Sequence, residues 1–262
     1  VDIVGIFHTV IFSPEDIYLV KGGPGCRRRW LNRQISQIDP AYCHTLVNYN
    51  HILRQRNACL KAWERMPDED TLAVWNDQLV EYGSQISLRR QQIIAALNQI
   101  AAPLHDDLAT GEGLELRYQC NIAGRESFSS AAELAELYRR ELQRHSHAER
   151  LRGATLVGPH RDDINIMING DAARDFASQG QQRTLALSLK LSELELAYAE
   201  KGEYPVLLLD DALSELDDQR GRRILELPAK TQTFISAATL PSAINQGTKW
   251  LVQAIDGVAH LQ

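Results

Sequence analysis

The sequence is poor in several features that mark specialised classes of protein. Only 4 of its 262 residues are cysteines, and aromatic residues make up 6%. No apolar run approaches the roughly 18 residues of a membrane span, and the first residues lack the basic and then apolar layout of a signal peptide. The cysteines form no Cys-x-x-Cys pair and lie far apart, at Cys26, Cys43, Cys59 and Cys120. We therefore expect reduced thiols, no membrane association and a cytoplasmic location.

The remaining composition is that of a globular protein, with 44% hydrophobic and 24% charged residues and a net charge of −6. It excludes collagen-like, disordered and disulfide-scaffold proteins. Positive charge is nevertheless concentrated in residues 21–61, where eight Lys or Arg stand against one acid. Such a stretch is typical of a surface that binds the DNA backbone, but a solvated helix face with structural ion pairs has the same composition. The candidate DNA-binding residues are Arg27, Arg28, Arg29, Arg33, Arg54 and Arg56.

Two apolar seams predict a pair of antiparallel helices in the middle of the chain. Apolar residues recur at alternating spacings of three and four between residues 40 and 66, and again between residues 70 and 103. The turn at 66–70 contains a proline and capping acids, so the two seams can pair along their whole length. Arg56 and Arg89 interrupt the seams, and we expect their charged ends to reach solvent. The pattern predicts a protruding arm over about 40–102, although a helix pair buried in a helical subdomain would show the same periodicity.

The chain divides into three predicted parts. Residues 1–25 hold a strand and a short helix that begins after Ser13. Residues 26–152 are mostly helical, contain the arm and end in an amphipathic helix over Ala131–Arg152. Residues 153–262 change to short apolar strands, glycine turns and helices, which is the texture of an α/β layer. The predicted fold class is therefore α/β with an inserted helical lobe.

A buried strand followed by two acids predicts a catalytic edge in the α/β layer. The run 204–209 is apolar, as in a strand covered on both faces of a parallel sheet, and Asp210 and Asp211 follow it. Ligands of open α/β sheets gather at the carboxyl ends of strands. In a Walker B element the first acid holds Mg²⁺ and the second orients or deprotonates the attacking water, and we assign these roles to Asp210 and Asp211. The alternative is that both acids only begin the next helix.

Two further segments fit an ATPase of the ABC type. Ser178 and Gly180 open an apolar helix with Ser178 as its N-cap, and the N–H groups of such a helix start can receive a phosphate. This start lies about thirty residues ahead of the two acids, as the ABC signature motif does. The acids are followed by the layout of a D-loop, in which Ser214 and Asp217 could equally form a local capping box. The predicted phosphate-contacting residues are Ser178, Gln179, Gly180, Gln181 and Gln182.

These motifs together resemble the RecF family of bacterial DNA replication and repair proteins. The resemblance rests on five segments in order along the chain, Phe12–Asp16, Leu53–Asn57, Gly158–Asp163, Phe176–Thr184 and Leu207–Asp217. It implies a P-loop ATPase head of the ABC and SMC type that forms a homodimer on ATP, uses Mg²⁺, binds double-stranded or gapped DNA and helps to load RecA with a RecR-type partner. It also implies roles in DNA recombination and the SOS response. For His160, Arg161, Asp162 and Asp163 the match supplies no chemical role.

One element of that family is absent from the sequence. RecF proteins carry a Walker A loop, Gly-x-x-x-x-Gly-Lys-Ser/Thr, which holds the β- and γ-phosphates, and no such loop occurs here. We expect a C-terminal fragment with an incomplete head, which alone neither binds ATP tightly nor hydrolyses it. The alternative is a naturally split or degenerate homologue.

The resemblance also implies that the site is shared between two subunits. In such heads the signature motif and the D-loop Asp217 face the nucleotide held by the partner subunit. Ser236 follows the next apolar strand, in the position of a switch residue that senses the γ-phosphate. An equally good interpretation is a strand-end serine that is bonded to the backbone.

Two other functions remain open from the sequence. The chain could be a non-catalytic module that docks DNA or a protein partner through its helical arm, with the α/β layer as support only. It could also be another SMC-like head from an unrelated pathway, which the RecF-type motifs disfavour. Replacement of Asp211 separates the first alternative from an ATPase, because only the ATPase would lose turnover.

Overall fold

The structure is a computed structural model that describes residues 8–122, 127–211, 231–237, 248, 252–255 and 258–261. Its helices are α1 (Ile17–Lys21), α2 (Pro24–Ile38), α3 (Pro40–Ala62), α4 (Glu69–Leu108), α5 (Ala131–Arg152), α6 (Ala173–Phe176) and α7 (Gln179–Lys201). Its strands are β1 (Thr9–Phe12), β2 (Leu114–Gln119), β3 (Asp163–Ile168), β4 (Asp171–Ala172), β5 (Val206–Asp210), β6 (Thr233–Ser236), β7 (Val252–Ile255) and β8 (Val258–Leu261). Among these residues, no helix has the length and apolar composition of a membrane span.

The apolar run before the two acids forms the middle strand of a parallel sheet, as predicted. The order is β1, β5, β6, and β5 pairs in parallel with both neighbours. Leu207 and Leu209 are buried, and they pack in one core with Val10 and Phe12 of β1. The register places Asp210 opposite Ser236, so the carboxyl ends of β5 and β6 meet at one edge. The sheet therefore brings two of the predicted site residues together.

A second, antiparallel sheet joins the middle of the chain to the α/β part. Strand β3 lies between β2 and β4, with Leu114 opposite Ile168 and Gln119 opposite Asp163. Side chains alternate along β2, so that Leu114, Leu116 and Tyr118 enter the core while their neighbours are more exposed. Near the end of the chain, β7 and β8 pair antiparallel.

Helices α3 and α4 form the predicted antiparallel pair. Helix α4 also packs against α5, α7 and β2, and α5 packs against α3. At the turn end, Arg150 of α5 lies 4.2 Å from the centre of the Trp63 ring and pairs with Glu69 at 2.8 Å, while residues 64–70 are exposed. The pair therefore packs into the helical lobe and presents its turn at the surface.

Arg56 is placed differently from the prediction. Its side chain does not reach solvent, because only 2% of the residue is exposed. The guanidinium donates to Glu149 at 2.6 Å, to Asn76 at 2.7 Å and to Thr155 at 2.8 Å. A buried charge needs such a complete set of partners. Arg56 therefore ties α3 to α4 and α5 and cannot contact the DNA backbone, which corrects its assignment as a DNA-binding residue.

Arg89 remains at the margin of the helix pair. It is partly exposed and pairs with Asp39 at 3.0 Å and with Glu200 at 3.5 Å. These two acids lie before α3 and near the end of α7, so Arg89 joins the pair to the helix that carries the predicted signature motif.

One hydrophobic core crosses the predicted divisions of the chain at residues 25/26 and 152/153. It includes Leu31 of α2, Ile86 of α4, Ile166 of β3 and Leu185 of α7. A smaller core lies between α7 and the parallel sheet. Helix α7 therefore contributes to both cores, and the packing does not stop at either predicted division.

A buried acid, Asp162, holds the junction between the helices and the antiparallel sheet. It is 1% exposed and lies one residue before β3. Its carboxylate accepts hydrogen bonds from Tyr118 of β2, from the Asn121 backbone N–H at 2.7 Å and from Ser87 of α4 at 3.3 Å. Arg90 of α4 completes the set with an ion pair at 3.2 Å. Four groups from two elements and a loop thus converge on one side chain.

The electrostatics of this junction follow from its burial. Desolvation raises the pKa of Asp162, and the positive charge of Arg90 together with the hydrogen bonds opposes that shift. Arg90 in turn donates to the Pro159 carbonyl at 2.7 Å and to Asn32 of α2 at 2.8 Å. The buried Asp162–Arg90 ion pair therefore depends on the complete set of these hydrogen bonds.

We predict that Asp162→Ala destabilises the fold strongly, because it leaves Arg90 buried without its counter-charge. The expected loss in the free energy of unfolding is about 3–5 kcal/mol, measured by denaturant titration. Asp77→Ala is the matched control, since Asp77 is an exposed acid on α4, the helix that carries Arg90. A loss below about 1 kcal/mol for Asp162→Ala, as for an ordinary surface change, would contradict this role.

Candidate functional site

The first half of the candidate site lies at the carboxyl end of β5. The Ser236 hydroxyl donates to Asp210 Oδ1 at 2.7 Å. The Asp211 backbone N–H reaches the Ser236 carbonyl and hydroxyl oxygens, both at 3.2 Å. Asp210, Asp211 and Ser236 are all exposed. Two carboxylates and a hydroxyl thus face solvent at a single sheet edge.

The chain turns sharply at Asp211. Its φ of 47° lies in the left-handed region, which L-residues other than Asn, Asp and Gly adopt with strain. Strand β5 therefore ends at Asp210, and the second acid is presented beyond the strand. Whether a helix follows at once is not described, since residues 212–230 lie outside the described ranges. The D-loop predictions, Ser214 and Asp217, fall in the same segment.

The second half of the candidate site is the start of α7. Ser178 is the N-cap, as predicted, and its hydroxyl accepts from the Gln181 N–H at 3.3 Å. The Gln181 side chain returns a bond, because its Oε1 accepts from the Ser178 N–H at 2.9 Å. This reciprocal pair is a capping box. It fixes the backbone of the predicted signature motif without any ligand.

The motif is open to an approaching group. Ser178, Gln179 and Gly180 are exposed, and a Cβ added at Gly180 would meet no atom within 4 Å. Gln182 is more enclosed and donates to the Ala177 carbonyl at 3.0 Å. The N-terminus of α7, a helix of 23 residues, adds a partial positive charge. An anion can therefore reach the first turn directly.

The predicted DNA-binding arginines fall into separate classes. Arg27 is 5% exposed and makes a bidentate pair with Asp163, at 2.7 and 2.8 Å. It also donates to the Gly22 carbonyl at 2.7 Å. Like Arg56, it is a structural residue, which corrects its assignment. A charge count cannot show this, because the partner lies 136 positions away in the sequence.

The other four arginines differ in how much of each side chain reaches solvent. Arg28 is half-buried and donates to the Asp162 carbonyl at 2.6 Å, and burial together with the charge of Arg90 lowers its pKa. Arg29, Arg33 and Arg54 are exposed. Arg29 and Arg33 lie one turn apart on α2, so they share a face of that helix.

The motif at Gly158–Asp163, which had no predicted role, is structural. Gly158 has a φ of 130°, and a Cβ there would lie 2.1 Å from the Tyr138 hydroxyl oxygen. His160 is held by the Tyr49 hydroxyl at 2.7 Å and by the Thr155 carbonyl at 3.1 Å. Arg161 is exposed. Together with the contacts of its last two residues, Asp162 and Asp163, the motif connects β3 to α2, α3, α4 and α5.

No protein-family model matches the chain, whereas curated proteins match it closely. It is 40% identical to the DNA replication and repair protein RecF of Oceanobacillus iheyensis over 265 residues, which cover 99% of this chain and 72% of that protein. It is 43% identical to RecF of Geobacillus thermodenitrificans over 241 residues, with 90% and 64% covered. The chain belongs to the RecF family. It spans about two thirds of the length of these RecF relatives.

Solved RecF structures share the fold. The recombination mediator protein RecF with ATPrS, from the RecFOR pathway, superimposes with a TM-score of 0.89 and 39% identity, over 99% of this chain and 69% of that one. The corresponding RecF structure with ATP also gives 0.89, with 38% identity. The predicted α/β fold with an inserted, mostly helical lobe is confirmed.

The sequence does not indicate one residue that contacts the candidate site. Glu112, in the turn between α4 and β2, accepts from the Gln181 side-chain amide at 3.1 Å. Its neighbours in sequence give no sign of this, because Glu112 stands in an ordinary Gly-Glu-Gly turn. Only the fold brings that turn to the start of α7.

We predict a pH-dependent contribution of His160 to stability. Burial, with the charges of nearby arginines, lowers the pKa of His160 from 6.5 to about 4. Between these values the unfolded chain binds a proton that the native chain does not, so His160 stabilises the fold less as the pH falls from 6.5 to 4. The difference in the free energy of unfolding between the wild-type protein and the His160→Gln variant should therefore shrink from pH 7 towards pH 4.5. His51→Gln, at an exposed position on α3, is the control, and a difference that stays constant with pH would refute the prediction.

Proposed function

We propose that this chain supplies the Walker B and signature elements of a RecF-type ATPase that acts on DNA in repair, replication and recombination. The proposal rests on the presence of two sites in one chain. Asp210, Asp211 and Ser236 form the first at the edge of the parallel sheet, and the capped start of α7 at Ser178 is the second. The relatives named DNA replication and repair protein RecF, and the RecF structures with ATP, support it.

The edge of the sheet fits a Mg²⁺ ion bound with ATP. Mg²⁺ prefers carboxylate oxygens and keeps several waters, so a site with one or two acids is typical. Asp210 would hold the ion, while Ser236 orients that carboxylate by donating to Oδ1 at 2.7 Å. When bound, the ion neutralises the charge on the phosphate oxygens. Ser236 thereby links the position of β6 to the metal-binding acid, as a switch residue would.

Asp211 is the residue that we assign as general base. It directly follows the metal-binding acid and is exposed at the strand end, where a water could lie beside it. A carboxylate that orients or deprotonates water typically contributes about 10²–10⁴ to a rate. Asp211 has a left-handed backbone conformation, so its side chain leaves the chain beyond the end of β5 rather than on the strand as Asp210 does.

The signature motif serves the nucleotide of a partner subunit. Leu187 of α7 shares a core with Leu207 and Leu209 of β5, so the Walker B strand lies beside the middle of that helix. Ser178 lies nine residues before Leu187, about 13 Å along the helix axis. Ser178 therefore lies at the exposed end of α7, beyond the part of the helix that packs on β5. A homodimer that forms on ATP would bring the two halves together, with Asp217 at the same interface.

The Ser178 hydroxyl can act on a phosphate while it caps the helix. It accepts a hydrogen bond from the Gln181 N–H, and a hydroxyl that accepts one bond still carries a proton to donate. The exposed Gly180 lets the phosphate approach the backbone closely. Gln179 and the other glutamines add neutral donors in the same turn.

DNA contact is assigned to the exposed arginines only. Arg29 and Arg33 on α2, with Arg54 on α3, remain candidates after Arg27 and Arg56 are excluded. Contact with the backbone of double-stranded or gapped DNA is consistent with RecF relatives that act in replication and repair. Assistance to RecA with a RecR-type partner is the corresponding proposal for the RecFOR pathway that the RecF structures name.

We expect Asp211→Asn in the full-length gene product to lower ATP turnover at least about 100-fold while ATP binding is kept, because only the general base is lost. Steady-state turnover and a nucleotide-binding titration measure the two effects. Asp171→Asn, which changes an exposed acid on β4, is the matched control. Unchanged turnover in Asp211→Asn would favour the non-catalytic interaction module instead.

DNA binding should depend on Arg29 and Arg33. Each phosphate contact adds close to one unit to the slope of log affinity against log salt, so Arg29→Glu with Arg33→Glu should weaken binding and flatten that slope. The control reverses Arg139 and Arg140 on α5, which are also exposed and alter the net charge equally. Salt-insensitive binding, or an equal loss in the control, would reject this surface.

A further inference from the structure

The turn between α4 and β2 contacts the signature motif through a single acid, Glu112. We propose that Glu112 is a positioning residue, which holds the Gln181 amide and thereby sets the geometry of the motif that is presented to the partner's nucleotide. The inference rests on the proposed function, because it concerns how the motif is held for that task. Its physical basis is a pair of hydrogen bonds that joins Ser178, Gln181 and Glu112.

The Gln181 side chain has a defined orientation. Its Oε1 accepts from the Ser178 N–H at 2.9 Å, and its Nε2 donates to Glu112 Oε1 at 3.1 Å. A backbone N–H can only donate and a carboxylate can only accept, so the amide fits in one of its two orientations. Without Glu112 this selection is lost, since the remaining bond restrains only one end of the amide.

The turn that holds Glu112 lies against the interior of the molecule. The second carboxylate oxygen of Glu112 lies 3.6 Å from Nε2 of His105, which is fully buried on α4, and this separation is longer than a hydrogen bond. His105 Nδ1 lies 2.9 Å from the Ser188 hydroxyl of α7. The end of α4 that leads into the turn therefore packs on the same helix whose first turn Glu112 contacts.

The backbone of the turn is also fixed. The Glu112 N–H donates to the Ala109 carbonyl at 3.0 Å, and the Gly111 N–H donates to Asp106 at 3.1 Å. The next residue, Gly113, is bonded to Asn169 in the turn between β3 and β4. The Gly113 N–H donates to Asn169 Oδ1 at 2.7 Å, and the Asn169 N–H donates to the Gly113 carbonyl at 2.9 Å. Glu112 therefore stands on a rigid support, as a positioning residue must.

The first test is kinetic, in the full-length gene product. Glu112→Ala removes a hydrogen bond to a charged acceptor, and this loss should lower kcat about tenfold or more. ATP affinity should stay unchanged, because the motif acts on the partner's nucleotide. Glu112→Gln keeps an acceptor oxygen for Gln181 and should recover most of the rate. Glu115→Ala, at a half-exposed acid three residues later, is the matched control.

A double-mutant cycle separates positioning from general loss of structure. If Glu112 acts through Gln181, the double variant with Gln181→Ala should be no slower than Gln181→Ala alone. Additive losses in kcat would overturn the proposal. A wild-type protein without ATP turnover would instead contradict the proposed function.

Hydrogen exchange tests the same inference without any turnover. In the absence of nucleotide, Glu112→Ala should speed amide exchange in residues 178–182, whereas Glu115→Ala should leave it unchanged. Unchanged exchange in Glu112→Ala would overturn the proposal even if the protein proves to be an active ATPase.

Discussion

The buried carboxylate of Asp162 is the constraint on which the arrangement of the helices depends. A desolvated charge is tolerated only where its partners are complete, so α4, β2 and the loop at Asn121 must each occupy one position around it. The next residue, Asp163, begins β3 and pairs with Arg27 of α2. Two consecutive acids therefore tie α4 and α2 to the start of one strand.

A second buried acid ties helix α7 to this arrangement of helices. Glu193 of α7 pairs with Lys190 at 2.7 Å, and it accepts from Trp30 and Gln34 of α2. Since α2 is already anchored by Arg27, the helix that begins at Ser178 is fastened to the helical lobe near its middle. The motif at its exposed end is thus carried by a rigid element.

Local signals made much of this fold predictable. Helix α5 has the predicted bounds, because Ser130 caps its start and Gly153, with a φ of 61°, ends it. The Ser178 helix start and the β5 strand also depend on nearby residues. The roles of Arg56 and Glu112 could not be predicted in this way, since their partners, Glu149 and Gln181, lie 93 and 69 positions away. Hydrogen bonds and ion pairs between distant segments leave no periodic trace in the sequence.

The central claim is that the Walker B edge and the signature motif complete one ATP site only across two subunits. The most direct measurement is the mass of the full-length gene product in solution, by sedimentation, with and without a slowly hydrolysed ATP analogue and Mg²⁺. The account predicts a monomer that becomes a dimer with nucleotide, and a monomer under both conditions when Ser178→Arg blocks the exposed start of α7. A protein that stays monomeric at saturating nucleotide, or a Ser178→Arg variant that still dimerises, would contradict it.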